Sequence, residues 1–197
     1  MKYFCASMLA ALSAFCFAAA SPLYDLAADK EAVREKVSVR SDEKLGSVFM
    51  FAAGSVIRSA QTVPMPGAVT VEAIVRAVRP TAKGSCQIIA SQGSLMLELY
   101  TYPGNNAKIV LTLWSGGKMQ QIKTVESMTY DAWHHIAVTA DTAGKTGGVF
   151  IDGKPVAEYQ LRQVPENIDS MTRPFIIGER FVGEAASITI TAGVRAA

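Results

Sequence analysis

The segment from Asp131 to Val156, DAWHHIAVTADTAGKTGGVFIDGKPV, constrains the fold more than any other part of the chain. Ile136 and Val138 alternate with Ala137 and Thr139, the period-two pattern of a strand whose two faces meet different surroundings. A second run, residues 149–151, is β-branched and aromatic and leads into Asp152-Gly153. An Asp-Gly pair between two such runs predicts a hairpin with a type I′ turn, because that turn needs positive φ at both central residues. This part of the chain is therefore committed to an antiparallel sheet.

The rest of the sequence reads the same way. Candidate strands cover 47–52, 55–58, 68–77, 86–91, 95–102, 108–114, 119–125, 133–140, 149–151, 155–160, 174–178 and 187–192. Pro64-Met65-Pro66-Gly67, Pro103-Gly104-Asn105-Asn106, Gly116-Gly117 and Gly147-Gly148 punctuate them. Many short strands at regular spacing predict an all-β fold, a two-sheet antiparallel sandwich. Residues 22–37 break the pattern. Ser21-Pro22 suit an N-cap and first helical position, and Leu23, Leu26, Val33 and Val37 recur at helical spacing. The spacing predicts a helix over 22–37; a partly ordered leader is the alternative, because Lys30 interrupts the stripe.

The N-terminus has its own signature. Met1-Lys2, an apolar run from Tyr3 to Phe17 and Ala18-Ala19-Ala20-Ser21 form a secretory signal peptide over residues 1–20, with cleavage after Ala20. The apolar run is short for a membrane-spanning helix. The expected locality is secreted, extracellular or periplasmic, in a bacterium. Cleavage removes Cys5 and Cys16, so Cys86 is left without an intrachain disulfide partner. Its strand context reads as a buried, inert small side chain. Acids and bases nearly balance, 17 against 19, and no run of like charge occurs. That argues against nucleic acid and against a polybasic membrane contact.

Trp133-His134-His135-Ile136-Ala137-Val138-Thr139, followed by Ile151-Asp152-Gly153-Lys154, resembles the centre of laminin-G-like jelly-roll domains of the concanavalin A-like lectin and glucanase superfamily. Four further pieces are similar and fall in the family's order: Val48–Ile57, Val69–Arg76, Phe175–Gly178 and Phe181–Val194. In the last piece the acidic pair usual before the closing strand is replaced by Ala185-Ala186-Ser187. The resemblance implies a jelly-roll domain over 47–197, preceded by a helical leader or linker over 21–46. It also implies a secreted, non-catalytic recognition module for glycans or for cell-surface and extracellular proteins, with no membrane span in the mature chain. A structural domain of an envelope assembly and a divergent glycoside hydrolase are the alternatives.

The residues narrow the chemistry. His134 and His135 are adjacent on a strand and point to opposite faces, so they cannot chelate one metal together. Trp133 reads as a packing anchor at the start of that strand. The paired carboxylates of a glycosidase, often Glu-x-Asp-x-x-Glu on one strand face, are not found, and Glu179 and Glu184 suit a loop. No catalytic residue and no cofactor is assigned. Some relatives hold calcium on rim loops; Asp131, Asp141, Asp152 and Asn105 offer oxygen donors but do not cluster in sequence, so no metal ligand is named. The candidate ligand-binding face lies in 95–114. Leu95, Leu97 and Leu99 match Ile109, Leu111 and Leu113 as a core face. That leaves Glu98, Tyr100, Tyr102, Lys108, Thr112 and Trp114 outward, aromatic surfaces with hydrogen-bonding neighbours suited to a sugar or a protein partner.

Overall fold

The computed structural model describes residues 22–63, 67–81, 86–93, 95–101, 105–115, 118–161 and 174–194, and all regular structure among them is strand. In chain order the strands are β1 (Tyr24–Asp25), β2 (Val33–Asp42), β3 (Gly46–Arg58), β4 (Ala68–Ala77), β5 (Cys86–Gln92), β6 (Leu95–Thr101) and β7 (Asn106–Ser115). They continue with β8 (Lys118–Lys123), β9 (Met128–Thr129), β10 (Trp133–Asp141), β11 (Thr146–Ile151), β12 (Lys154–Gln160), β13 (Ile176–Ile177) and β14 (Gly183–Ala192). Hydrogen bonding follows one path, β12-β11-β10-β4-β14-β3-β13-β5-β6-β7-β8, with every pair antiparallel.

The path bends at β3. Residues Phe49–Phe51 pair with β14, and Ile57 and Arg58 pair with β13, so one strand serves both layers of the sandwich. The first sheet is β12-β11-β10-β4-β14, and the second is β13-β5-β6-β7-β8. Alternation decides which side chains lie between them. Val69, Val71, Ala73, Val75 and Ala77 of β4 are buried in the core, while Glu72, Ile74 and Arg76 occupy the other face. Leu95, Leu97, Leu99, Ile109 and Leu111 form the opposing layer. Each Val, Leu or Ile buried in this way stabilises the fold by about 1.5–3 kcal/mol. Edge-to-face contacts of Tyr24 with Phe175 (5.2 Å) and Phe51 with Phe181 (5.6 Å) fill the core near β1 and β3.

The Asp152-Gly153 hairpin forms as its sequence requires. Asp152 and Gly153 have φ of 51° and 75°, and Ile151 pairs with Lys154 across the two-residue loop.

The helix expected over 22–37 is replaced by two strand segments, β1 and the start of β2, joined by turns. Tyr24 and Asp25 pair with Ile190 and Thr189, and β2 pairs with β3 along its length. The apolar spacing has a different origin: Tyr24 and Leu26 enter the core, Val37 packs against it, and Val33 is 56% exposed. A bulge at Lys36, with φ of 53°, shifts the register between Glu35 and Val37 and hides the strand alternation. Across from it, the Ser55 hydroxyl donates to the Lys36 carbonyl at 2.5 Å and accepts the Ala52 N–H at 2.9 Å. This stitch holds the corner where the β2–β3 ribbon passes from one sheet to the other. Stretches 47–52 and 55–58 are thus one bent strand, and β9 is a strand that the sequence did not reveal. Residues 1–20, where the signal peptide is expected, lie outside the described residues.

Candidate functional site

Cross-strand register lays out the outer face of the second sheet as rows. Cys86, Tyr100 and Lys108 stand opposite one another, followed by Ile88, Glu98, Val110 and Lys123. Met96, Thr112 and Gln121 form the next row, and Trp114 faces Met119 beyond it. Glu98, Tyr100, Lys108, Thr112 and Trp114 therefore share one face, as their alternation predicts. Tyr102 lies outside the described residues. The structure brings Tyr100, Glu98 and Lys108 together but not Trp114. Six residues separate Trp114 from Lys108 on β7, about 20 Å at about 3.3 Å per residue. The face is a strip with aromatic side chains at its two ends.

The middle of the strip is polar and ordered. Glu98 is only 8% exposed although it points away from the core. Its Oε1 accepts from the Cys86 thiol at 2.9 Å, and its Oε2 accepts from the Thr112 hydroxyl at 2.7 Å. Thr112 in turn accepts from the Gln121 amide at 3.4 Å. Lys123 places its ammonium 4.0 Å from the centre of the Tyr100 ring, a cation–π contact. Cys86 is half-buried on this face, not in the core. Burial, reinforced by the Glu98 carboxylate, pushes its thiol up to about 12. The thiol is thus protonated and a hydrogen-bond donor, which makes it unreactive. Met119, Gln121 and Lys123 complete the strip. Their shared parity in β8 is the signal that could have placed them there, and Cys86 carries no such signal.

A second polar group sits at the hairpin end. His134 Nδ1 lies 2.8 Å from Asp152 Oδ2, and its Nε2 lies 3.1 Å from the Thr129 hydroxyl. His135 donates its backbone N–H to Asp152 Oδ1 at 2.9 Å, and its ring reaches Glu72 at 3.2 Å. The histidines point to opposite faces, as strand parity demands. Thr129, His134 and Asp152 have the connectivity of a nucleophile–base–acid relay. They also join the two layers: β9 is bonded to β7 of the second sheet, and Asp152 turns the first-sheet hairpin. His134 clips the two sheets together at this end.

On the outer face of the first sheet, Glu184 accepts from Arg76 at 2.9 Å and from Arg40 at 3.2 Å, while Arg40 also reaches Asp42 at 2.9 Å. The Arg76 guanidinium lies 5.7 Å over the Trp133 ring. Trp133, read from the sequence as a packing anchor, is partly buried and lies outside the hydrophobic core. Arg76 and Glu184 line, with Asp131, a hollow of about 360 Å³. Three of the four oxygen donors considered for calcium have separate local roles. Asp141 Oδ1 caps the Ala143 and Gly144 N–H groups, Asp152 holds the histidines, and the Asn105 amide meets the Tyr130 carbonyl at 3.5 Å. Among the described residues no three His, Cys, Asp or Glu side chains are grouped to hold a metal ion.

A laminin-G family model, described as the concanavalin A-like lectin/glucanases superfamily, matches residues 52–189. The chain belongs to this family. A search of curated proteins finds no match. Among solved structures, the family fold is shared with domain 4 of AbnA, a GH43 extracellular arabinanase from Geobacillus stearothermophilus, in complex with arabinotriose. Identity there is 17% and the TM-score 0.61, over 81% of this chain and 76% of that one. The heptameric SAP-like pentraxin from Limulus polyphemus is similar at 14% identity and a TM-score of 0.56, over 71% of each chain. A botulinum neurotoxin type C structure, concerned with cell entry through two ganglioside molecules, aligns at 10% identity and a TM-score of 0.59. That match covers 83% of this chain and 43% of the toxin chain. Identities this low show the jelly-roll fold alone. No helix among the described residues is long and apolar enough to cross a membrane.

Proposed function

We propose that this chain is a secreted, non-catalytic recognition module that binds an extended glycan along the outer face of the second sheet. The observation that carries the reading is the pairing of Trp114 with Met119, exposed at 43% and 52%, in line with the polar Glu98–Thr112–Gln121 group. A sugar chain offers alternating apolar C–H faces and hydroxyls. The strip offers an aromatic surface at each end and oriented polar groups between them. Cys86 and Thr112 hold the Glu98 carboxylate in place, which lowers the ordering cost of binding. The arabinanase domain in complex with arabinotriose, and the neurotoxin's use of gangliosides, support a glycan as ligand.

The same face supports the non-catalytic part of the reading. Glu98 is the one carboxylate among the described outward side chains of β5 to β8, whereas hydrolysis of a glycosidic bond commonly uses two facing carboxyl groups. A glycan array with oligosaccharides of increasing length tests the proposal. Binding should strengthen with chain length, and Trp114→Ala should weaken it roughly 10- to 30-fold, the loss typical of an aromatic anchor. Tyr100→Ala should affect only ligands long enough to reach the far end. Identical profiles for wild type and Trp114→Ala would remove the strip from consideration. Secretion rests on the signal-peptide pattern of residues 1–20. N-terminal sequencing of the exported chain should start at Ser21; recovery of an uncleaved chain from the cytoplasm would contradict it.

A further inference from the structure

The outer face of the first sheet carries an unassigned feature where β10, β11 and β12 run side by side. A trough of about 580 Å³ opens there, lined by Phe150, Gly148, Thr139, Glu158, Gln160 and Val194 among others. Register explains its shape: Gly148 stands opposite Thr139 on β10 and Glu158 on β12. With no side chain at Gly148, the Phe150 ring lies close over it. A Cβ built there would stand 3.1 Å from ring carbon Cε2. The half-buried ring thus forms one side of the trough, and Glu158 borders it on the neighbouring strand. The Thr139 hydroxyl, which accepts the Gly148 N–H at 2.9 Å, forms part of the buried floor.

Charge and size select the ligand. Among the described residues Glu158 is the only charged side chain in the lining, and it has no hydrogen-bond or ion-pair partner there. An exposed carboxylate that shares a trough with an aromatic ring favours a cationic ligand over a neutral or anionic one. The carboxylate supplies a charge-assisted hydrogen bond, and the ring adds a cation–π or C–H contact. The volume falls within the range of small-molecule sites, roughly 300–1,000 Å³. A sugar ring fits that volume and can stack on Phe150. We propose that the trough binds a saccharide carrying a free ammonium group, with the ring on Phe150 and the ammonium on Glu158. Gln160 and Thr146 at the rim take its hydroxyls. This site is on the opposite face from the Trp114 strip and stands or falls independently of it.

The test is an amide ¹H–¹⁵N NMR titration with the disaccharide of glucosamine and, separately, its N-acetylated counterpart. The amine form should shift Gly147, Gly148, Phe150 and Glu158, and should bind roughly tenfold or more tightly than the N-acetylated form. Glu158→Gln, a change on an exposed edge strand, should reduce the amine form to the affinity of the N-acetylated one while the other resonances stay in place. Equal affinity for the two sugars, or undiminished binding by Glu158→Gln, would overturn the proposal. So would Nα-acetyl-lysine amide binding as tightly as the amino sugar, or no shift at the trough. Shifts confined to β6–β8 would also overturn it, and would speak for the second-sheet strip instead.

Discussion

Asp152 turns the hairpin with a backbone φ of 51° and also ties down both histidines through its carboxylate. Partial burial disfavours its charge, but the hydrogen bonds from His134 and the His135 N–H outweigh that and hold the carboxyl below its ordinary range. Because the folded pKa is depressed, the stabilisation is fully present above the unfolded value near ~3.9 and is lost as pH falls through the folded value. Asp152→Asn keeps the turn, since Asn-Gly also adopts type I′, but removes the charge. It should lower stability by about 1 kcal/mol at neutral pH, with the gap to wild type closing below about pH 4. Thermal melts from pH 7 to pH 3 check this, and a gap that stays constant across that range would refute it. The turn was legible from the Asp-Gly pair, and the separation of the histidines from strand parity. The clip to Thr129 was not, because the residues that meet there lie on different sheets and no spacing rule links them.

At the scale of elements, β2 and β3 carry the largest difference between reading and structure. Residues 33–42 are mostly exposed, rich in charge and interrupted by the Lys36 bulge, so neither strand nor helix periodicity is clean there. Their strand state is set by pairing with β3. The turn between them did leave a local trace: Asp42 Oδ1 caps the Lys44 and Leu45 N–H groups ahead of Gly46. A domain beginning at residue 47, the boundary drawn from the sequence, would lose this partner strand. The Phe49–Phe51 and Ile57–Arg58 segments of β3 would then expose unpaired backbone groups at both sheets' edge. A chain truncated to residues 47–197 should therefore be markedly less stable than residues 21–197 and prone to aggregate. Urea unfolding with light scattering measures both; equal midpoints for the two chains would show the leader to be dispensable.

At the scale of the whole molecule, two outer faces compete for the functional role, and the sequence pointed to only one. Outward residues of β6 and β7 could be named because each strand alternates cleanly and their registers match. The strip's length, the entry of Cys86 and Lys123 and the distance from Trp114 to Tyr100 depend on which strands are neighbours and where. The Phe150 trough was not visible at all, since its ring and carboxylate come to line one hollow through an absent side chain at Gly148 and the register of a third strand. What the sequence determined by itself was local: the period-two alternation, the Asp-Gly turn and the parity of each side chain. These follow from backbone sterics and from the need to bury apolar atoms, which act within a few residues. The tertiary structure alone decided that β3 would bend between two sheets, that residues 33–42 would be a strand, and which outward side chains would meet. Those outcomes come from pairing between segments far apart in the chain, where the hydrogen-bonding partner, not local preference, sets the conformation.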